Sequence, residues 1–83
     1  MSTREKLIER FCRFPSDFTF NELVQLFGCF GYELYNKGIT SGSRVLFKKG
    51  DSCYLTHRPH PHNTVRKAAL KDVYMFLLIN GLL

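Results

Sequence analysis

The residues best suited to chemistry are histidines that lie close together near the middle of the C-terminal half. They are His57, His60 and His62, separated by Arg58, Pro59 and Pro61. Proline fixes its own φ angle and favours an extended conformation in the residue before it, so we expect Arg58 and His60 to be held extended. Because the unperturbed pKa of histidine lies closest to neutral, such a cluster can accept and donate protons. Beside basic residues, this chemistry suits proton transfer at a phosphate.

Two of these histidines are spaced suitably for acid–base catalysis. In an extended segment, the Cα atoms of His57 and His60 lie on the order of 10 Å apart, so an acid and a base can flank one phosphate. His57 and His60 are therefore candidate catalytic residues. The alternative is structural, with His57 at a strand end, His60 in a turn and His62 in solvent.

The charge of the chain points to an anionic partner. The 83 residues carry a formal net charge of +5. Residues 1–43 hold five basic and five acidic side chains, whereas residues 44–83 hold seven basic and two acidic ones, so the whole excess lies in the half with the histidines. This asymmetry favours a polyanion, nucleic acid first. Ordinary solubilising charge is the alternative.

Several residues between positions 43 and 71 are predicted to bind a nucleic acid. They are Ser43, Arg44, Lys48, Arg58, Arg66, Lys67 and Lys71. We expect Arg44, Lys48 and Arg58 to share the open face of a hairpin. Arg66 and Lys67 begin the last helix, where the helix dipole disfavours cations unless an anion docks there. A solvated strand face and tolerated surface charge are the alternatives.

Other classes of site are not indicated. Cys12, Cys29 and Cys53 are widely spaced and form no Cys-x-x-Cys pair, so we expect three reduced thiols packed as small apolar groups. Asp51 and Asp72 are the acidic residues of the basic half and do not cluster, so no metal and no cofactor are expected. No apolar run is long enough for a membrane span, and the charged N-terminus predicts no signal peptide. The protein is therefore expected in the cytoplasm, without a membrane partner.

Apolar stripes and capping residues within each segment predict three helices. An apolar stripe of Leu7, Ile8, Phe11 and Cys12 predicts a helix over residues 3–13. A capping box of Thr19 and Glu22 begins a second helix, which ends near Gly31. The last helix is expected to be capped by Asn63 or Thr64 and to run to about Asn80, before Gly81.

Strands are predicted over residues 32–35, 43–48 and 52–56, with a turn at residues 49–51. The order α-α-β-β-β-α predicts an α+β fold, with a three-stranded antiparallel meander packed on helices that leave one face open. A chain of this length forms one domain, residues 1–83, with an extra N-terminal helix within residues 1–16 and a core over residues 17–83.

From Leu23 to Leu82 the chain resembles the HicA family of bacterial toxins. The matching pieces are Phe30-Gly31-Tyr32-Glu33-Leu34, Gly42-Ser43, Phe47, the proline–histidine segment after the third strand, Lys67-Ala68-Ala69-Leu70 and Asn80-Gly81-Leu82. The resemblance implies a fold like a double-stranded-RNA-binding domain. It also implies a metal-independent endoribonuclease that cleaves mRNA through the RNA's own 2′-hydroxyl and is neutralised by a HicB-type antitoxin.

One position departs from the family pattern. The family motif is Gly-Ser-His with a catalytic histidine, and here that position is Arg44. Arginine stays protonated at physiological pH, so it cannot act as a general base, although it can bind a phosphate and stabilise charge. Either His57 or His60 transfers the protons, or the chain is a non-catalytic module that binds RNA or DNA.

Overall fold

The computed structural model describes residues 3–35, 44–59 and 63–83. Its helices are α1 (Thr3–Cys12), α2 (Phe20–Cys29) and α3 (Lys67–Ile79), and its strands are β1 (Glu33–Tyr35), β2 (Arg44–Lys49) and β3 (Ser52–His57). The strands form one antiparallel sheet in the order β1-β2-β3. The α+β class and the predicted order of elements are confirmed. None of the described helices is long and apolar enough to span a membrane.

Helix α1 forms over the predicted segment and buries Leu7 and Phe11. Cys12 at its end is exposed, and so is Cys53, whereas Cys29 packs against the core. The prediction of three packed thiols is therefore wrong for two of them. The last residue of a helix and an outward position on a strand both leave a side chain in solvent.

Helix α2 begins and ends as its sequence predicts. The hydroxyl of Thr19 accepts a hydrogen bond from the backbone N–H of Glu22 at 3.2 Å, and the Glu22 carboxylate accepts one from the N–H of Thr19 at 3.0 Å. At the other end, Gly31 has φ of +88°, which glycine adopts without steric cost. This conformation lets the N–H of Tyr32 donate to the carbonyl of Phe27 at 2.9 Å. The capping box and the terminating glycine are both confirmed.

The sheet has one covered and one open face. Alternation along β2 buries Val45 and Phe47 and directs Arg44, Leu46 and Lys48 to the other side. On the covered side, Phe47 stacks on Phe27 of α2 with ring centroids 4.1 Å apart. The helices therefore shield one face, as predicted, and their apolar side chains form a single core cluster with the inward residues of the sheet.

Helix α3 begins later than its sequence suggests. The predicted cap at Asn63 or Thr64 is wrong, because the first helical residue is Lys67. The backbone of residues 63–65 instead forms an antiparallel bridge with residues 18–20. This pairing holds the segment extended, so the helix cannot start until the bridge has ended.

The rest of α3 follows its apolar pattern. Leu70, Val73 and Leu77 are buried against the core. Gly81 takes φ of +72°, and the N–H of Leu82 donates to the carbonyl of Leu77 at 2.9 Å. The predicted glycine stop, with Leu82 folding back over the last turn, is confirmed.

Candidate nucleic-acid interface

The open face of the sheet is the surface that carries the predicted chemistry. Residues paired in register share a face, and alternate residues of one strand do so too. The open face therefore consists of Glu33 and Tyr35 of β1, Arg44, Leu46 and Lys48 of β2, and Cys53, Leu55 and His57 of β3. The helices pack on the opposite side.

Arg44 and His57 are direct neighbours on the open face. They are register partners in the β2–β3 pair, and both side chains are exposed. Directly opposite residues in an antiparallel pair have Cβ atoms about 4.5–5.5 Å apart. Among the described residues, neither side chain has a hydrogen-bonding or ion-pair partner. The structure thus brings together two residues that the sequence predicted for phosphate binding and proton transfer.

Lys48 lies on the same face but apart from this pair. It stands four positions beyond Arg44 on β2, which is about 13 Å along a strand. Its register partner is Glu33, and its Nζ atom lies 5.4 Å from the centroid of the Tyr35 ring. Lys48 can therefore contact a different part of an elongated ligand, not the same phosphate group.

Arg58 does not share the open face, so that expectation is wrong. Its guanidinium lies 5.2 Å from the centroid of the Phe20 ring, at the start of α2. Side chains alternate between faces, and Arg58 directly follows the outward-facing His57 at the end of β3. The arginine is therefore directed towards the helices, where an aromatic ring is its neighbour.

A cleft of about 460 Å³ lies where the end of β3 meets the start of α3. His57, Arg58 and Arg66 line it, together with one acidic residue, Asp72. His57 therefore lies both on the open face and in the lining of this cleft, so the two surfaces meet at this residue.

The remaining predicted cations lie on α3. Arg66 is the N-cap residue but makes no side-chain capping hydrogen bond, and the first turn contains no acidic residue. Arg66 lines the cleft, whereas Lys67 and Lys71 are exposed and lie outside its lining. Lys67 and Lys71 stand one turn apart, so they share one side of the helix.

Two predicted residues, Ser43 and His60, lie outside the described residues, as does His62. The predicted spacing of His57 and His60 is therefore still a prediction. Within residues 3–35, 44–59 and 63–83, no group of three or more His, Cys, Asp or Glu side chains could hold a metal ion.

The sequence patterns of the separate strands did not show which side chains are neighbours on the open face. Tyr35, Leu46 and Leu55 are neighbours across all three strands, because Tyr35 pairs with Leu46 and Leu46 pairs with Leu55. The short turn at Gly50 and Asp51 was the available signal, since the turn of a hairpin fixes the register of its strands. Counting outward from that turn places Arg44 opposite His57.

Comparisons of the chain with protein families, with curated proteins and with solved structures found no match. The resemblance to HicA toxins therefore rests on the sequence motifs alone.

Proposed function

We propose that the protein binds RNA on its open face and cleaves it without a metal ion, as a toxin like those of the HicA family. The observation that carries this proposal is the cross-strand pair of Arg44 and His57. Both side chains are exposed, and neither is engaged by another described residue. His57 also lines a cleft that contains Arg58 and Arg66.

The two residues have different roles in this proposal. Arg44 is permanently charged and presents several N–H donors, so it binds the phosphate and stabilises the charge of the transition state. His57 transfers a proton, either from the attacking 2′-hydroxyl or to the leaving oxygen. Cleavage needs both transfers, and His60 is the proposed second group.

A protein inhibitor of the HicB type and a cytoplasmic location belong to the same proposal. For the inhibitor, the supporting feature is again the open face, where Leu46 and Leu55 are apolar register partners. An inhibitor that covers this face excludes RNA from Arg44 and His57 at the same time.

The direct test is incubation of the purified protein with a long mRNA, with and without EDTA. We expect RNA fragments in both samples, because the proposed proton transfers use side chains alone. A reaction that EDTA abolishes and magnesium restores would contradict the mechanism. An RNA that remains intact in every sample would contradict the assignment as an endoribonuclease.

A second candidate function is a non-catalytic module that binds RNA or DNA. Arg44 favours it, because an arginine occupies the position of the family's catalytic histidine. Measuring binding of RNA and DNA beside the cleavage assay separates the two candidates. Binding without cleavage supports the module, whereas binding with cleavage supports the toxin.

A further inference from the structure

An apolar stripe crosses the open face from one edge of the sheet to the other. It consists of Tyr35, Leu46 and Leu55, which are successive register neighbours on β1, β2 and β3. Tyr35 is 40% exposed and Leu55 is 56% exposed, while Leu46 between them is half-buried. The three side chains form one continuous strip, because opposite residues on adjacent strands are in contact distance.

The core does not account for this stripe. The core cluster takes the inward residues of β2, Val45 and Phe47, and packs them against the helices. Among the tyrosines, Tyr32 is buried, and Tyr54 and Tyr74 pack against the core. Tyr35 is the tyrosine that the fold leaves on the outer surface of the sheet.

Charges on both sides of the stripe indicate what it binds. Arg44 and His57 flank it on one side, and Lys48 flanks it on the other, with Nζ 5.4 Å from the Tyr35 ring centroid. Glu33 is the acidic residue among the described residues of this face. An occupant that fits must therefore combine flat apolar groups with negative charge on either side of them.

We propose that the stripe is a stacking platform for unpaired bases, so that the substrate is single-stranded RNA. This inference rests on the proposed function and specifies its substrate class. Bases of single-stranded RNA stack on aromatic side chains while basic residues follow the backbone. In a duplex the bases are stacked on one another inside the helix, so their flat faces cannot reach Tyr35.

The test compares the affinities of a single-stranded RNA and of the same RNA annealed to its complement, at one salt concentration. His57→Ala serves as the background so that cleavage does not consume the RNA. We expect tighter binding of the single strand. Tyr35→Ala should weaken that binding by about 5- to 150-fold, the range for loss of one base–aromatic stack. Tyr35→Phe keeps the ring and should bind as the background does.

Ile79→Ala is the matched control, because Ile79 is a 78% exposed apolar residue on α3 rather than on the sheet. It should leave RNA affinity unchanged. Thermal unfolding of each variant establishes that it is folded, and the comparison of single-stranded with duplex RNA tests the proposal if Tyr35→Ala is not. Equal affinity for duplex and single strand, or an unchanged affinity in folded Tyr35→Ala, would overturn the stacking platform while RNA binding itself stands. Absence of any RNA binding would overturn the proposed function together with this inference.

Discussion

Arg10 and Arg13, in and just after the first helix, differ from the cations of the open face in their ion pairing. In α1, Arg10 donates to Glu22 at 2.8 Å and to Asp17 at 3.0 Å, so it links the first helix to the start of the second. Arg13 pairs with Glu9, one turn earlier, at 2.7 Å. Both arginines neutralise neighbouring carboxylates, and Arg10 also links the two helices.

No cation within residues 44–59 and 63–83 forms an ion pair with a described residue. Lys48 and Arg58 lie over aromatic rings instead, at 5.4 and 5.2 Å from the centroids, and Arg44 and Arg66 have no side-chain partner of any kind in the described part of the chain. Ion pairing therefore distinguishes Arg10 and Arg13 from the described cations of residues 44–59 and 63–83, which a count of charges does not do. An anionic ligand can form ion pairs with these cations more readily than with Arg10 and Arg13, which are already paired with carboxylates.

The largest effect on binding should come from Arg44. Arg44→Ala removes a charge-assisted hydrogen bond to phosphate, which is worth about 1.5–3 kcal/mol, or roughly 10- to 150-fold in RNA affinity. Arg13→Ala removes the same charge from the paired set and should leave affinity nearly unchanged. Fluorescence anisotropy with a labelled RNA measures both. Equal losses in the two variants would mean that pairing does not distinguish the two sets.

Substitution of Arg66 and Lys67 tests whether the start of α3 belongs to the same RNA-binding site as the open face of the sheet. The double substitution to alanine should weaken binding to unrelated RNA sequences alike. It should also reduce the slope of log affinity against log salt by about one unit for each phosphate group that the variant no longer neutralises. An unchanged slope would remove the start of α3 from the interface.

A smaller effect is expected when the helical region is altered. Thr19→Ala deletes the capping hydroxyl of α2 and should lower the free energy of unfolding by about 1 kcal/mol. RNA affinity should be unaffected in the folded variant, because Thr19 lies at the start of α2, away from the open face of the sheet. Urea denaturation and anisotropy provide the two measurements. A parallel loss of RNA affinity would show that the start of α2 and the open face are coupled, which would contradict the distinction between the two regions.

The smallest effect concerns pH. The hydrogen bond from Arg10 holds the pKa of Glu22 below its ordinary value of 4.5, and hydrogen bonds from Thr19 act in the same direction. Since the folded pKa is the lower one, this stabilisation is complete above the unfolded pKa and is lost as the pH falls through the folded pKa.

Denaturation at a series of pH values should therefore show a loss of stability on acidification that is shallower in Glu22→Gln. Glu9→Gln is the control, because the ion-pair partner of Glu9 among the described residues is the exposed Arg13. Identical acid profiles for wild type and Glu22→Gln would show that the Arg10 network contributes nothing to stability.

The sequence predicted best what local interactions determine. Thr19 and Glu22 are three residues apart, so the capping box forms within one turn and was visible as a pattern. The start of α3 was misplaced because a bridge between residues 18–20 and 63–65, which are distant in the chain, overrides the local capping signal.

In the candidate site too, local features were predictable from the sequence, whereas contacts between distant segments were not. The residue types at Arg44 and His57 were recognised, but their position side by side depends on strand register, which the sequence pattern of each strand does not state. Arg58 was misplaced because its neighbour is Phe20, which belongs to another element. Contacts between distant segments are set by how the whole chain packs, so they could not be read from spacing.

In the proposed mechanism, Arg44 binds the phosphate and His57 transfers a proton. The most direct measurement is the single-turnover cleavage rate and the RNA affinity of His57→Ala, with His60→Ala beside it. We predict that His57→Ala binds RNA nearly as the wild type does and cleaves it about 10²–10⁴-fold more slowly, the usual cost of removing a catalytic acid or base. Cleavage by His57→Ala at the wild-type rate would contradict the claim and leave this histidine with a structural role.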